Sequence, residues 1–292
     1  MTAIGIDVGG TKIAGGLVER DGTVAARATV PTPAADGPAA ILDAIAELAG
    51  RLRVPRVTGV GIGTGGVVDH AAGTIVSANG LLRGWTGTPV AAVLSSRLGL
   101  PVTVENDGNA LALGELRFGA ARGLDSALCV AVGTGVGGGV IAGGELLRGA
   151  RHTAGEVGHM PVSGAEGLRC NCGRTGHLEA VASGPAMAGR HGAGLDLRAV
   201  AARALDGDER AVQVIEEGAA ALGTAIAGLA NALDPRAVIV GGGVAAIGDL
   251  YWTPLRAAVR AHALAGPEVR PAALRTDASI AGAAAPALAG RR

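Results

Sequence analysis

The chain has 292 residues, of which 49% are hydrophobic and 17% charged, and 25 basic side chains balance 25 acidic ones. A chain of this length can bury a large core, and zero net charge argues against nucleic acid or an anionic membrane as the main partner. Three cysteines do not suggest a disulfide framework, no apolar run approaches the ~20 residues that span a bilayer, and the N-terminus does not resemble a signal peptide. We therefore expect a globular cytoplasmic protein.

Residues 3–19 have the pattern of a β-hairpin, with Gly9-Gly10 as the turn between two apolar strands. Asp7 precedes this turn and Thr11-Lys12 follow it. Glycines let backbone amides approach phosphate oxygens, the threonine adds a hydroxyl, and Asp7 can hold Mg²⁺ through water. The hairpin thus indicates a phosphate cradle that is not a Walker loop. The alternative is an ordinary Gly-Gly hairpin.

The next elements predict a nucleotide-binding domain of the ribonuclease-H-like kind. A third strand over 23–30, an amphipathic helix over 39–51 and an apolar strand over 57–64 follow the hairpin. Residues 65–69 are predicted to close this last strand with a loop. Three strands, a helix and a strand, with another strand and helix to follow, is the order that such domains have.

Asn79 lies in a loop over residues 77–88. Its amide can both donate and accept hydrogen bonds, which suits a sugar hydroxyl. The alternative interpretation of Asn79-Gly80 is a turn.

Residues 105–110 lie between an apolar run and a helical pattern, which predicts Asp107 at a strand end and in the first turn of a helix. Unpaired backbone N–H groups and the helix dipole keep a carboxylate ionised at such a position. An ionised carboxylate can take a proton from an incoming hydroxyl. The alternative is that Asp107 only caps the helix.

Residues 127–145 repeat the opening pattern of strand, glycine turn and strand. The repetition predicts a duplicated domain with a second phosphate cradle at Gly133–Gly138. The repeat has no acid at the position of Asp7, so the two halves are not equivalent. Cys129 stands among apolar residues and is expected in the core.

The segment 152–179 combines two thiols and two imidazoles that suit tetrahedral Zn²⁺. The expected ligands are His159, Cys170, Cys172 and His177. The alternative is a loop with reduced thiols. Glu156 and Glu179 flank this cluster, and carboxylates accept hydrogen bonds well from sugar hydroxyls.

The remaining chain is expected to contain a largely helical segment, a glycine-ended strand and a last helix. Residues 183–234 have helical patterns, and a strand from Ala237 ends in Gly241, Gly242 and Gly243, a junction that fits the adenosine part of a nucleotide. Residues 279–288 can form a last helix that packs on the first domain. Because aromatic residues make up only 1%, base stacking with nucleic acid is not expected.

Five motifs in one order resemble the ROK family of sugar kinases and sugar-responsive repressors, bacterial glucokinases in particular. The motifs are Asp7-Val-Gly-Gly-Thr-Lys12, Glu105-Asn-Asp-Gly-Asn-Ala110, the glycine hairpin at 133–139, Gly155-Glu-Val-Gly-His-Met160 and Cys170-Asn-Cys-Gly-Arg-Thr-Gly-His-Leu-Glu179. The resemblance covers residues 4–285.

The resemblance implies an α/β fold of the actin/hexokinase-like kind, with two duplicated ribonuclease-H-like domains and a cleft between them. The expected domains are 1–116 plus 278–292, and 117–277 with the zinc-knuckle loop. By resemblance Asp107 is the general base on the 6-hydroxyl of a hexose. Other hydroxyls are held by Asn79, Asn106, Glu156, His159 and Glu179. The residues that bind phosphate and Mg²⁺ are, by resemblance, Asp7, Gly9, Gly10, Thr11, Lys12, Gly133, Thr134 and Gly135. The residues near adenosine are Gly241, Gly242 and Gly243.

The expected activity is an ATP-dependent hexose 6-kinase with glucose or a glucosamine-type sugar such as kanosamine or N-acetylglucosamine as substrate, with ATP, Mg²⁺ and a structural Zn²⁺. His159 would serve zinc with one ring nitrogen and sugar with the other. His177 departs from the family, which usually has a third cysteine there, and Gly65-Gly66 lacks the usual proline. The resemblance also implies a homodimer or homotetramer.

The alternative function is a sugar-sensing transcriptional regulator. Repressors of the family carry a helix-turn-helix segment before the kinase-like part, and Asp7 is expected to lie too near the N-terminus for one. No nucleic-acid or membrane partner is expected.

Overall fold

The computed structural model describes residues 1–289, which divide into two compact units. Of the described residues, unit 1 comprises 1–123, 146–155 and 273–289, and unit 2 comprises 124–145 and 156–272. Unit 1 thus includes the segment 146–155, which the sequence alone grouped with the second half.

Unit 1 is a sheet covered by helices. Its elements are β1 (Thr2–Val8), β2 (Lys12–Glu19), β3 (Val24–Pro31), α1 (Pro38–Leu52), β4 (Val57–Thr64), β5 (Val67–Asp69), β6 (Thr74–Ser77), α2 (Val90–Leu98), β7 (Val102–Asn106), α3 (Asp107–Phe118), a 3₁₀ turn (Arg275–Asp277) and α9 (Ala278–Leu288). The sheet order is β3-β2-β1-β4-β7, with β1, β4 and β7 parallel. Strands β1 and β2 form the expected hairpin.

Unit 2 has the same central strand order. Its elements are β8 (Ser126–Val132), β9 (Val136–Ala142), a 3₁₀ turn (Val157–His159), α4 (Glu179–Ala182), α5 (Gly184–His191), α6 (Leu197–Leu205), α7 (Glu209–Leu233), β11 (Ala237–Gly241), a 3₁₀ turn (Gly243–Ile247), α8 (Asp249–His262) and β12 (Glu268–Pro271), and the unit boundary falls inside β10 (Glu145–Leu147). The order β9-β8-β11-β12 repeats β2-β1-β4-β7, with an antiparallel hairpin followed by parallel strands. The predicted duplication is confirmed.

Each unit has a core built almost entirely from aliphatic side chains. In unit 1 the strand residues Ile4, Ile6 and Ile62 pack with Ile41 and Ile45 of α1. In unit 2 the long helix α7 packs against the sheet and α8. Burial of these apolar surfaces drives the folding of each unit.

Helix α9 confirms the helix that was predicted over 279–288, and it packs on unit 1. It lies so close to β1 and β4 that a Cβ atom at Gly5 or Gly61 would overlap the carbonyl groups of Ile280 and Ala283. Gly282 of α9 makes a similarly close approach to the backbone of α3. Glycine is therefore needed in these strands because the helix backbone occupies the space of a side chain.

One sequence-based expectation needs correction. Residues 65–69 are not only a loop, because Val67–Asp69 forms β5 and pairs with β6. Among the described residues, the 25-residue helix α7 is long and apolar enough to cross a membrane by length and composition. Half of its most apolar window is buried inside the protein, as in the core helix of a globular unit.

Candidate active site

The first part of the candidate site lies at one edge of the unit 1 sheet. In the parallel strands Asp7 stands opposite Gly63, and Gly63 stands opposite Glu105. The carboxyl ends of parallel strands meet at the same edge, and α3 begins with Asp107 directly after β7. The structure therefore brings the two predicted acids, Asp7 and Asp107, to one edge.

The junction of β7 and α3 presents Asp107 at the first turn of the helix, as the sequence predicts. The N-cap is Asn106, whose Oδ1 accepts a hydrogen bond from the Asn109 N–H at 3.1 Å. Asp107 is exposed, and its Oδ1 accepts a hydrogen bond from the Gly108 N–H at 2.8 Å. The capping role considered for Asp107 therefore belongs to Asn106, and Asp107 is the acid of the first turn of α3.

The Asn106 side chain also holds the neighbouring loop, because its Nδ2 donates a hydrogen bond to the Gly66 carbonyl at 3.0 Å. Its predicted contact with a sugar hydroxyl stays a prediction.

Asp7 carries a strongly perturbed carboxyl group. Its pKa is raised to about 7, chiefly by burial and then by the nearby Asp107 charge, while Lys12 acts in the opposite direction. Two carboxylates close together repel each other unless a cation lies between them or one is protonated. The donor set therefore fits a hard divalent cation such as Mg²⁺, which prefers oxygen ligands.

The turn between β1 and β2 is held in shape by Thr32, which directly follows β3. The Gly9 N–H donates to the Lys12 carbonyl at 3.0 Å, and the Thr32 hydroxyl donates to the Gly9 carbonyl at 2.6 Å. The side chains of Thr11 and Lys12 are exposed at this turn. The predicted phosphate-binding groups are thus together on one fixed turn of unit 1.

The loop over residues 77–88 has a structural anchor that sequence reasoning missed. The Nε1–H of the fully buried Trp85 donates to the Thr64 hydroxyl at the end of β4 at 3.1 Å. Asn79 is exposed, and its Oδ1 accepts a hydrogen bond from the Leu81 N–H at 3.1 Å. The turn-forming role considered for Asn79 is therefore present, and its contact with sugar stays a prediction.

In unit 2 the two glycine clusters lie side by side. The first turn is closed by a hydrogen bond from the Gly133 N–H to the Gly135 carbonyl at 2.9 Å. Strand β11 pairs with β8, and a Cβ atom at Gly242, where φ is +91°, would collide with the backbone of Val132. The predicted phosphate turn and the predicted adenosine turn at Gly241–Gly243 are therefore neighbours.

Glu179 links the glycine turn to the cysteine knuckle. Its Oε2 accepts a hydrogen bond from the Val136 N–H at 3.0 Å, and its Oε1 accepts one from the Cys170 thiol at 3.3 Å. A Cβ atom at Gly135 would stand 2.5 Å from Oε2, so glycine is required for this approach. The buried carboxylate is thus oriented by two donors.

Glu156 and His159 form a second polar pair of unit 2. Glu156 Oε2 lies 3.2 Å from His159 Nδ1, and both side chains are half-buried. The hydrogen bond to Glu156 raises the pKa of His159.

The four predicted metal ligands are gathered in one place. Ligand atoms of His159, Cys170, Cys172 and His177 all lie within 4.8 Å of one another. Cys172 Sγ is 3.3 Å from His177 Nδ1, which is close to the separation of two donors around one tetrahedral zinc ion. Two sulfur and two imidazole donors at this spacing form a possible metal site that fits zinc.

The thiols of this cluster differ in acidity. Burial raises the pKa of Cys170 to about 12. Burial acts in the same direction on Cys172, but hydrogen bonds from the Arg174 backbone and the Cys170 thiol outweigh it, so the Cys172 pKa is lowered. A bound cation would favour both thiolates, because metal binding is coupled to thiol deprotonation.

Sequence reasoning also missed the partner of Glu105. This carboxylate is only 4% exposed and pairs with Arg148, whose Nε and terminal nitrogen both lie 2.8 Å from Oε2. A buried acid at a strand end indicates a nearby cation. The identity of that cation could not be read from the sequence, because the two residues are 43 positions apart.

Comparison with known proteins gives a consistent result. Residues 3–289 match the ROK family. The chain is 37% identical to a glucokinase of Streptomyces coelicolor, with 96% of each chain covered, and 36% identical to an N-acetylmannosamine kinase of Escherichia coli, with 97% of each covered. A solved ROK family glucokinase from Streptomyces griseus, in complex with glucose and AMPPNP, superposes with a TM-score of 0.89 at 36% identity, over 99% of this chain and 100% of that one.

Proposed function

The chain belongs to the ROK family and has the actin-like ATPase fold of its ROK relatives, and on that premise we propose that it is an ATP-dependent hexose 6-kinase. The observation that carries the proposal is the exposed Asp107 at the start of α3, at the same sheet edge as Asp7. Glucose or a glucosamine-type sugar, such as kanosamine or N-acetylglucosamine, is the proposed acceptor. The N-acetylmannosamine kinase among the relatives adds N-acetylmannosamine to the sugars to be tested.

Asp107 is the proposed general base. The positive end of the helix dipole favours a negatively charged side chain, and a carboxylate there can accept the proton of the sugar 6-hydroxyl as the oxygen attacks the γ-phosphorus. Phosphoryl transfer depends on alignment and charge neutralisation more than on covalent chemistry. A single carboxylate that accepts this proton is therefore enough to provide the acid–base catalysis that the reaction needs.

The turn of unit 1 is proposed to meet the phosphates. The backbone of Gly9 and Gly10 and the side chains of Thr11 and Lys12 offer N–H, hydroxyl and ammonium donors to phosphate oxygens. Asp7 would hold Mg²⁺, which when bound neutralises charge on the transferring phosphate. In unit 2, Gly133, Thr134 and Gly135 offer a second set of donors, and Gly241, Gly242 and Gly243 leave room for adenosine.

The remaining polar side chains are proposed to hold sugar hydroxyls. Asn79 and Asn106 contribute amides from unit 1, and Glu156, His159 and Glu179 contribute an imidazole and two carboxylates from unit 2. Amides and carboxylates can pair with adjacent hydroxyls through both of their polar atoms. The existing hydrogen bonds of Asn106 and Glu179 fix their orientation.

The cluster of His159, Cys170, Cys172 and His177 is proposed to hold one structural Zn²⁺. A cytoplasmic location and a homodimer or homotetramer stay predictions from the resemblance.

Replacement of Asp107 by asparagine tests the proposed function. D107N keeps the size of the side chain but removes its basicity, so we expect turnover to fall by a factor on the order of 10² to 10⁴ while sugar affinity stays within a few-fold. Turnover is measured by coupled ADP release, and sugar affinity by calorimetry. D36N, which changes an exposed acid of the loop before α1, is the control. Near-normal turnover of D107N would remove Asp107 as the base.

A further inference from the structure

The pair of the buried Glu105 and the half-buried Arg148 has no role in the function proposed so far. Arg148 directs two nitrogen atoms at Glu105 Oε2, each at 2.8 Å. Glu105 Oε1 accepts hydrogen bonds from the Asn109 amide at 3.0 Å and from the Asn106 N–H at 3.2 Å. His70 Nδ1 also lies 3.4 Å from Oε2. Glu105 is therefore a fully engaged carboxylate that stands two residues before Asp107.

Arg148 begins a compact loop of unit 1. Its carbonyl accepts a hydrogen bond from the Ala154 N–H at 3.2 Å, which closes the loop over residues 148–154. Within it His152 adopts a left-handed backbone conformation with φ of +59°, which is uncommon for residues other than glycine. The loop ends at Gly155, and the next residue in the chain is Glu156, one of the proposed sugar ligands.

We propose that Arg148 is a positioning residue for sugar phosphorylation, because its pair with Glu105 holds the loop 148–155 against the β7–α3 junction that carries Asp107. The inference rests on the proposed function and names a further residue of the same site. Arg148 does not act on substrate itself. Its ion pair with Glu105 fixes the position of the β7–α3 junction and of the loop that precedes Glu156.

The geometry calls for arginine rather than for any cation. Two nitrogens of one rigid guanidinium share a single carboxylate oxygen, which fixes the direction of the side chain as well as its charge. A lysine ammonium is a point charge that fixes distance but not direction. Misplacement of reacting groups by about 1 Å can cost on the order of 10² in rate, so such a tether affects catalysis as well as stability.

The experiment compares R148M, R148K and R151M in steady-state kinetics with sugar and MgATP varied separately. R148M keeps an unbranched stem and removes the charge, and Glu105 then keeps its bonds from Asn106 and Asn109. R148K restores the charge. R151M is the matched control, because Arg151 lies in the same loop and is exposed, with no ion pair among residues 1–289.

We expect R148M to lower kcat/KM for the sugar by about 10- to 100-fold, with a raised sugar KM, and to leave the KM for MgATP within about twofold. R148K should recover part of this loss. Millimolar guanidinium ion should restore sugar KM in R148M but not alter R151M. A purely structural role would instead lower the folded fraction, which changes apparent kcat and leaves both KM values alone.

The inference is overturned if the sugar kcat/KM of R148M equals that of R151M, or if guanidinium has no effect on R148M. Should R148M fail to fold, R148K decides, since wild-type sugar kinetics in R148K would likewise overturn it. A wild-type protein that is silent on every sugar defeats the proposed function itself, and the inference with it. An active wild type with unaffected Arg148 variants defeats the inference alone.

Discussion

Asp7 shows how a single residue couples the site to stability. Its carboxyl group has a pKa raised from 3.8 to about 7, chiefly by burial and then by the charge of Asp107. In the absence of a bound cation the folded state therefore holds a proton that the unfolded state releases near pH 4. The free energy of unfolding must then fall as the pH rises from about 4 to about 7.

We predict that D7N removes this decrease in the free energy of unfolding between about pH 4 and about pH 7. Above about pH 7 the cation-free D7N protein should be more stable than the wild type by on the order of 3 kcal/mol, and below about pH 4 the two should be equal. Urea unfolding of both proteins without Mg²⁺ or nucleotide measures the difference. D43N, on the exposed face of α1, is the control. Parallel curves for wild type and D7N across this range would contradict the raised pKa.

Residue types predicted part of the site, and spatial proximity supplied the rest. Asp107 could be placed from the apolar run before it and the helical pattern after it, because both signals are local. The Glu105–Arg148 pair joins residues 43 positions apart, and the Trp85–Thr64 hydrogen bond joins residues 21 positions apart. A local sequence pattern does not predict contacts between residues so far apart. For Asn79 the local turn signal was real, since the Asn79 side chain does accept from Leu81.

Among the elements, α9 depends most on the absence of side chains opposite it. Gly61 of β4 faces the Ala283 carbonyl with no room for a methyl group. We predict that G61A lowers the free energy of unfolding by about 3 kcal/mol or more, because neither the strand nor the helix can move without disturbing the sheet.

G50A is the matched control for this substitution. Gly50 lies near the end of α1 with nothing within 4 Å of the Cβ position, so alanine should stabilise the helix by about 0.5–1 kcal/mol. Chemical denaturation of both variants gives the comparison. If G61A were as stable as G50A, the close packing of α9 on β4 would be wrong.

The cysteine knuckle is the element that a metal should stabilise. We predict about one zinc ion per chain in protein purified without chelator, and retention of zinc in H177C, because a thiolate can replace an imidazole as a ligand. H177A should lose most of the metal, while H262A, which removes an exposed imidazole at the end of α8, should keep it. Mass-spectrometric metal analysis decides. Well under one zinc per wild-type chain would refute the site.

The elements themselves were largely predictable, with one instructive exception. Strand β4 begins and ends where its apolar run does, and the hairpins at both glycine turns were expected. The β5–β6 hairpin was missed, because a three-residue strand after Gly65-Gly66 shows no alternation to distinguish it from a loop. Its pairing comes from residues 74–77, which the local pattern of residues 65–69 does not contain.

At the scale of the whole molecule, the sequence predicted the fold better than the site. The repeated order of hairpin and parallel strands follows from hydrophobic runs and glycine turns, which recur along the chain and identify both units. The choice of sugar depends on where five side chains stand to within fractions of an ångström. That placement is set by contacts such as those of Asn106 and Glu179, which residue types alone do not give.

The most direct test of the central claim is a coupled ADP-release assay with MgATP across glucose, mannose, fructose, N-acetylglucosamine, N-acetylmannosamine and 3-amino-3-deoxyglucose. The account predicts ADP release that depends on sugar, favours one of these acceptors well above the others and yields its 6-phosphate. Folded, zinc-containing protein that releases no sugar-dependent ADP with any of them would contradict the assignment as a hexose 6-kinase.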